Sequence, residues 1–224
     1  MGNSVEMKWP KRFAQISPNI LDLPWKEIDY CSIDLEATGL NLKRDEIISI
    51  GVTQIHLGRI ASKSNFYQVI KPTGHPSISS VLIHGLRSVD LESAKSLQEV
   101  IPNLVNELTG RTLIAHAAWV ERAFLADKFK GTGFPYPKQV LDTASLARAC
   151  GIKAPGTGKE PSLEFIARHL GLPVYSPHHA LGDALTTAVV FLALATDLDR
   201  RHRIHRERGL TLQDLFDISR QHSS

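Results

Sequence analysis

Cysteine is scarce: Cys31 and Cys150 are the only two in 224 residues, and they form no C-x-x-C pair. That excludes a disulfide-stapled scaffold and a cysteine-built zinc site, and it fits a reducing cytoplasm. Long apolar runs are also missing. The richest stretch, 184–195, is broken by Thr186 and Thr187 and reads as a buried helix, so no membrane association is expected. Residues 1–10 lack the apolar segment of a secretory signal. Charge of one sign is weak: the net value of +3 permits a nucleic-acid partner without demanding one. There is no internal repeat. Gly156-Thr157-Gly158-Lys159 fails as a phosphate-binding loop, because position 153 is lysine where glycine is required and Glu160 stands where serine or threonine is required.

What is present is an ordinary globular composition, long enough for one substantial core. Residues 1–28, with prolines at 10, 18 and 24, read as an N-terminal arm. Strands are expected at 29–36, 46–57 and 62–70, joined by short links as an antiparallel meander. Leu97, Val100, Ile101, Leu104, Val105 and Leu108 then repeat at helical spacing. A short strand at 112–115, a helix at 120–129, a strand at 138–141 and helices at 143–149, 162–170 and 181–198 follow. Strand and helix alternate in this half, so the class is α/β with a mixed sheet flanked by helices. The domain is drawn at 29–200, followed by a basic helical tail at 201–224.

Three segments carry acids in a chemically suggestive setting. In Tyr30-Cys31-Ser32-Ile33-Asp34-Leu35-Glu36, alternation along a strand puts Asp34 and Glu36 on one face. Two like charges side by side are costly unless a cation lies between them, and hard oxygen ligands suit Mg²⁺ or Mn²⁺. An isolated Asp-x-Glu is more often a pair of surface acids; the flanking Ile33 and Leu35 and the Thr38-Gly39 turn shift the balance. Glu121 lies early in the helix that follows the 112–115 strand, where an acid also simply complements the helix dipole. Asp183 sits early in the last long helix, beside His178 and His179. Either histidine is suited to accept a proton near neutrality. Helical geometry alone favours His179, four residues before Asp183.

Together these segments resemble the DEDDh exonuclease superfamily, which includes the proofreading epsilon subunit of bacterial DNA polymerase III, ribonuclease T and oligoribonuclease. The Asp-x-Glu-x-Thr-Gly signature is matched by Asp34, Glu36, Thr38 and Gly39. His116, Ala117 and Glu121 occupy a second motif that usually reads His, Asn and Asp. His178 and Asp183 match a third, with the family's spacing of five. Ile83-His84-Gly85-Leu86 and Leu141-Asp142-Thr143 fit two lesser family segments. The match runs from about 29 to 196.

The resemblance implies a ribonuclease H-like fold and two Mg²⁺ or Mn²⁺ ions held by Asp34, Glu36, Glu121 and Asp183. It implies His178 as general base. Leu35, Thr38, Gly39, Leu40 and His84 would grip the last nucleotide. The implied activity is 3′–5′ exonuclease release of nucleoside 5′-monophosphates, with single-stranded DNA favoured. An exoribonuclease, or a non-catalytic nucleic-acid-binding module weakened by Glu121, remains open on sequence. Ala117 and Glu121 depart from the pattern and bear on efficiency more than on reaction type. The expected partner is a nucleic-acid 3′ end. A DNA polymerase or a sliding clamp is a further candidate partner; Gln213-Asp214-Leu215-Phe216 is similar to a clamp-docking peptide but one residue short, and Leu212, Leu215 and Phe216 equally suit packing onto the core. The arginines at 200, 201, 203, 206 and 208 suit either a phosphate backbone or a solvated helix end. Trp9, Trp25 and Trp119 read as packing residues.

Overall fold

A computed structural model describes residues 18–74, 85–86, 88–126, 128–129, 136–154, 156, 160–206 and 208–223. In chain order the helices and strands are α1 (Pro18–Leu21), β1 (Tyr30–Ala37), β2 (Ile47–His56), β3 (Arg59–Ile60), β4 (Phe66–Lys71), α2 (Ser88–Glu92), β5 (Lys95–Ser96) and α3 (Leu97–Leu108). Then come β6 (Thr112–Ala115), α4 (Trp119–Leu125), β7 (Leu141–Asp142), α5 (Thr143–Ala149), α6 (Leu163–His169), α7 (Ala180–Arg206) and α8 (Leu212–Gln221). The expected third strand starts later than its sequence suggested, because Ser62–Ser64 forms a single 3-10 turn before β4.

The seven strands form one sheet in the order β5-β4-β2-β1-β6-β7, with β3 paired to β2. β1, β2 and β4 are antiparallel neighbours, whereas β6 and β7 run parallel to β1. This is the mixed sheet expected, a meander extended by parallel strands. Alternation along β1 divides its side chains between two cores. Cys31 and Ile33 join Ile50, Val52, Leu104, Leu113 and Phe124 on one face. Tyr30 joins Phe191, Leu194, Leu146 and Ile166 on the other.

α7 is the element that orients the site. By length and composition, 180–204 is apolar enough to cross a bilayer, which corrects the reading that no stretch is; yet 56% of that window is buried against the rest of the protein. It is the core helix across the back of β1 and β2. It continues to Arg206, beyond the end expected from sequence.

The segments drawn above as an arm and a tail meet each other. The Trp25 N–H donates to the Leu210 carbonyl (3.0 Å), and the Leu212 N–H donates to the Leu23 carbonyl (3.1 Å). Trp25 packs edge-on against Phe191 at 6.1 Å between ring centroids. Asp199 fastens the turn before α8, accepting from the Leu210 N–H (2.7 Å) and from Arg203 Nε (3.0 Å). α8 begins with a capping box in which Thr211 and Asp214 exchange hydrogen bonds.

Two readings left open by the sequence are decided here. Leu212, Leu215 and Phe216 are buried in the core, so the clamp-like peptide at 213–216 has no free apolar side chains to offer. Of the C-terminal arginines, Arg200 and Arg201 pair with Asp197, Arg203 with Asp199 and Arg208 with Asp214. Those side chains serve the helix end and the turn after it.

Candidate active site

Asp34 and Glu36 occupy the carboxyl-terminal half of β1, opposite Gly51 and Ser49 of β2. The register slips between Glu36 and Ala37, a bulge that bends the strand end where the two acids emerge. On the same face, two residues before Asp34, the Ser32 hydroxyl donates to the Ala184 carbonyl of α7 (2.7 Å). Because Ala184 follows Asp183, this buried bond fixes how far along the sheet Asp183 stands. Gly51 fixes how close it comes, since a Cβ there would lie 2.3 Å from the Ala180 carbonyl and the Leu181 nitrogen. Gly182 does the same for the preceding loop, where a Cβ would meet the Tyr175 carbonyl at 2.4 Å.

The result is convergence. Asp34, Glu36 and Asp183 each present an oxygen within 4.8 Å of the others, a set suited to a divalent cation. Burial, then the charges of Glu121, Asp183 and Glu36, hold the Asp34 carboxyl well above the usual carboxylate range. Burial and the neighbouring Asp183 push Glu36 up to about 7. Asp183 is also raised by burial, though the His178 N–H and the nearby histidines work against the shift. Four acids that resist ionising together are an arrangement a cation would relieve.

Glu121 stands outside that close group. It is 3% exposed on α4, and its Oε2 has no hydrogen-bond partner among the described residues. Burial, and secondarily the charge of Asp142, push it up to about 8. Its charge nevertheless ranks first among those acting on Asp34. A buried carboxylate oxygen without a partner among the described residues, close enough for its charge to act on Asp34, suits a cation-binding role. The hydroxyl of Tyr136, whose ionisation is opposed by the same Glu121 charge, is likewise buried without a partner.

The two histidines differ. His178 is exposed, with φ +61, and its backbone N–H donates to Asp183 Oδ2 (2.9 Å). His179 is half-buried and stacked on Tyr67 at 4.4 Å, with its Nδ1 accepting from the Gly182 N–H (3.4 Å).

After β1 the chain turns around Asp45. The Thr38 hydroxyl donates to Asp45 Oδ1 (3.3 Å) and accepts from the Glu46 N–H (3.0 Å), while Asp45 Oδ2 accepts from the Asn41 N–H (2.7 Å). A Cβ on Gly39 would fall 2.4 Å from Asp45 Oδ2, which explains glycine at this place. Leu40 is left 74% exposed at the rim. Leu35 packs against the opposite core, so only its backbone faces the site side. His84 lies outside the described residues.

The second motif is held by a tie that its sequence only hinted at. Ala117 takes φ +53 and donates its N–H to Asp142 Oδ1 (2.9 Å). Asp142 also caps α5 through the Ala144 N–H (3.1 Å) and accepts from the Ser145 hydroxyl (2.8 Å). His116 Nδ1 bonds Thr143 Oγ1 (3.0 Å). Sequence reading passed over Ser32, Gly51 and Tyr67. Of these only Gly51 left a signal, a glycine inside an Ile- and Val-rich strand. Trp119 was misread as packing: it is 63% exposed.

The Exonuclease (RNase_T) family model matches residues 31–191. DNA polymerase III PolC-type from Thermotoga petrophila is 33% identical over 172 residues, covering 76% of this chain and 12% of that protein. The same polymerase type from Staphylococcus epidermidis is 26% identical over 201 residues, covering 87% and 13%. The chain thus spans about an eighth of the length of these curated relatives. Exonuclease X in complex with 5′ overhanging duplex DNA superposes with a TM-score of 0.62 at 20% identity, covering 85% of this chain and 99% of that one. The nuclease domain of 3′hExo, a DEDDh family member bound to rAMP, gives 0.63 at 19% identity, covering 78% and 95%. These two structures share the fold.

Proposed function

The chain belongs to the DEDDh exonuclease superfamily, and from that premise we propose that it is a 3′–5′ exonuclease acting on single-stranded DNA and releasing nucleoside 5′-monophosphates. The observation that carries this reading is the meeting of Asp34, Glu36 and Asp183 oxygens within 4.8 Å, from two elements far apart in sequence. These three, with Glu121, would hold two Mg²⁺ or Mn²⁺ ions. When bound, such cations neutralise charge developing at the phosphate and make a water molecule more acidic.

The chain's own residues supply the rest. His178, exposed on the loop before α7 and joined to Asp183 through its backbone, is the proposed base. Its imidazole takes the proton of the attacking water as the new P–O bond forms and the bond to the 3′-oxygen breaks. Stacking on Tyr67 and the Gly182 bond occupy His179, which supports His178 over its neighbour. Thr38, Gly39 and the exposed Leu40 form a rim against which a terminal nucleotide would rest, with the Leu35 backbone beside it; His84 is carried over from the family motif. DNA is favoured because the 33%-identical relatives are DNA polymerases, and that likeness also makes a polymerase the natural partner. Two free cysteines accord with a cytoplasmic setting.

The test is digestion of end-labelled single strands, DNA and RNA, with Mg²⁺ or Mn²⁺, comparing the natural protein with Asp34→Ala. Stepwise loss of 3′ nucleotides as 5′-monophosphates, by the natural protein alone, is the expected result. Binding without cleavage under both metals would overturn the reading, and faster digestion of RNA would reassign the substrate.

A further inference from the structure

The carboxyl ends of β1, β6 and β7 lie at one edge of the sheet, and the close acidic group of the candidate active site lies at the β1 end of it. On the β7 side is a separate cavity of about 300 Å³, between the start of α4, the 138–142 segment and α8. Val140 and Phe216 contribute its apolar lining. Trp119 also lines it, and this indole is 63% exposed. Arg122 and Lys138 supply two cations, and Arg220, ion-paired with Asp217, lies at the α8 wall. Arg122 Nη1 donates to the Lys138 carbonyl (3.3 Å), which holds the guanidinium along the wall.

Two acids line the same cavity, and both are engaged within the protein. Asp142 accepts from the Ala117 and Ala144 N–H groups and from the Ser145 hydroxyl. Glu160 is paired with Arg148 at 3.1 Å. Arg220 is in turn paired with Asp217, so the cations left to face an incoming ligand are Arg122 and Lys138. A polyanion with flat apolar groups fits such a surface: phosphates meet the cations, and a base meets the indole. The cavity is of a size to admit one nucleotide-like group, since ligand pockets begin at about 300 Å³. It also adjoins the active site along the chain, because Trp119 and Arg122 flank Glu121 within α4. In parallel-stranded sheets ligands gather at this carboxyl edge.

We propose that this cavity carries the single-stranded part of the substrate upstream of its 3′ end, with Trp119 as a base-stacking platform and Arg122 and Lys138 facing its phosphates. The proposal rests on the exonuclease reading given above. Stacking is indifferent to base identity, so the contact gives grip along the strand rather than sequence preference.

Two measurements separate this proposal from the reading it rests on. Binding of octathymidylate is measured on Asp34→Asn protein, in which cleavage is blocked, by tryptophan fluorescence and by salt titration. Turnover of octathymidylate and dithymidylate is measured with Mn²⁺ on otherwise natural protein. Trp119→Ala is expected to abolish most of the fluorescence change and to weaken octamer binding about tenfold, with Trp119→Phe recovering part of it. Lys138→Gln is expected to lower the slope of log affinity against log salt by about 0.7, the loss of one phosphate contact. The octamer-to-dimer ratio of kcat/KM should fall about tenfold in Trp119→Ala. A ratio, fluorescence change and salt slope that all stay at the natural values would overturn the groove while leaving the nuclease intact. Binding through Trp119 without turnover of either substrate would instead sink the nuclease reading.

Discussion

Gly51 lies directly under Ala180: the position a Cβ would take on β2 is 2.3 Å from the carbonyl that opens α7. Asp34 is the β1 partner of Gly51, and Asp183 is three residues beyond Ala180, so one missing methyl group sets the separation of two acids. Gly51→Ala must lift the helix or bend the strand. A cost of about 1–3 kcal/mol is expected from overpacking, with a larger proportional loss of Mn²⁺ binding because the acids are moved apart. Thermal denaturation beside manganese titration checks this; a variant that lost stability but bound manganese as before would contradict it.

The acids also make stability depend on pH in chelator. Glu121 is pushed from an ordinary 4.5 up to about 8, and Glu36 up to about 7. Below the ordinary value both folded and unfolded chains hold the proton and no penalty exists. Above it the unfolded chain ionises first, so the folded state loses ground until the folded groups ionise in turn. Metal-free protein should therefore lose several kcal/mol between about pH 5 and about pH 8 from these groups, then level off. Added Mg²⁺ should restore most at the alkaline end. Denaturant midpoints across that range, with and without metal, decide the matter, and a flat metal-free profile would contradict it.

Glu121→Gln separates the two consequences of that buried acid. Removing its charge should stabilise the chelated protein at about pH 8 by roughly 1–3 kcal/mol, because a buried, unpartnered carboxylate is no longer forced to ionise. Turnover with Mn²⁺ should fall by about a hundredfold or more if the side chain helps hold a cation. Calorimetry in chelator and single-turnover digestion read the two effects independently.

Ala117 pays for its backbone. Its φ of +53 lies in the left-handed region, where an alanine is strained and a glycine is not. Ala117→Gly should raise stability by about 0.5–1 kcal/mol, and Ala117→Asn, which brings the usual family residue, should gain a similar or smaller amount. The N–H donated to the Asp142 carboxylate belongs to the backbone of residue 117, so the bond survives both changes. A fall in melting temperature for both variants would contradict this account.

Much of this architecture was legible in the sequence because its causes are local. Alternation wrote β1, helical spacing wrote α3, and the acidic motifs pointed to Asp34, Glu36 and Asp183, whose oxygens meet, and to Glu121, which stands outside that group. What stayed hidden depends on contacts between distant residues. Nothing in the neighbourhood of Ser32 announces its bond to Ala184, 152 residues away. The pairing of Tyr67 with His179 is equally non-local. Trp119 misled because a large aromatic is usually buried, and only the fold reveals that its turn carries it outward. Leu212, Leu215 and Phe216 left two readings open, since a short apolar motif looks alike whether it docks on a partner or on its own core; the fold takes the second.

The bridge between Pro24 and Thr211 joins the two flanks beside the buried ring of Trp25. A strap closed by both flanks has no independent half: trimming before Trp25 or after Leu210 uncovers the same patch of core. Removing α8 would also strip Phe216, Ser219 and Arg220 from the cavity wall. One helix therefore has two duties: its first residues close the strap over Trp25, and its later ones wall the cavity beside β7.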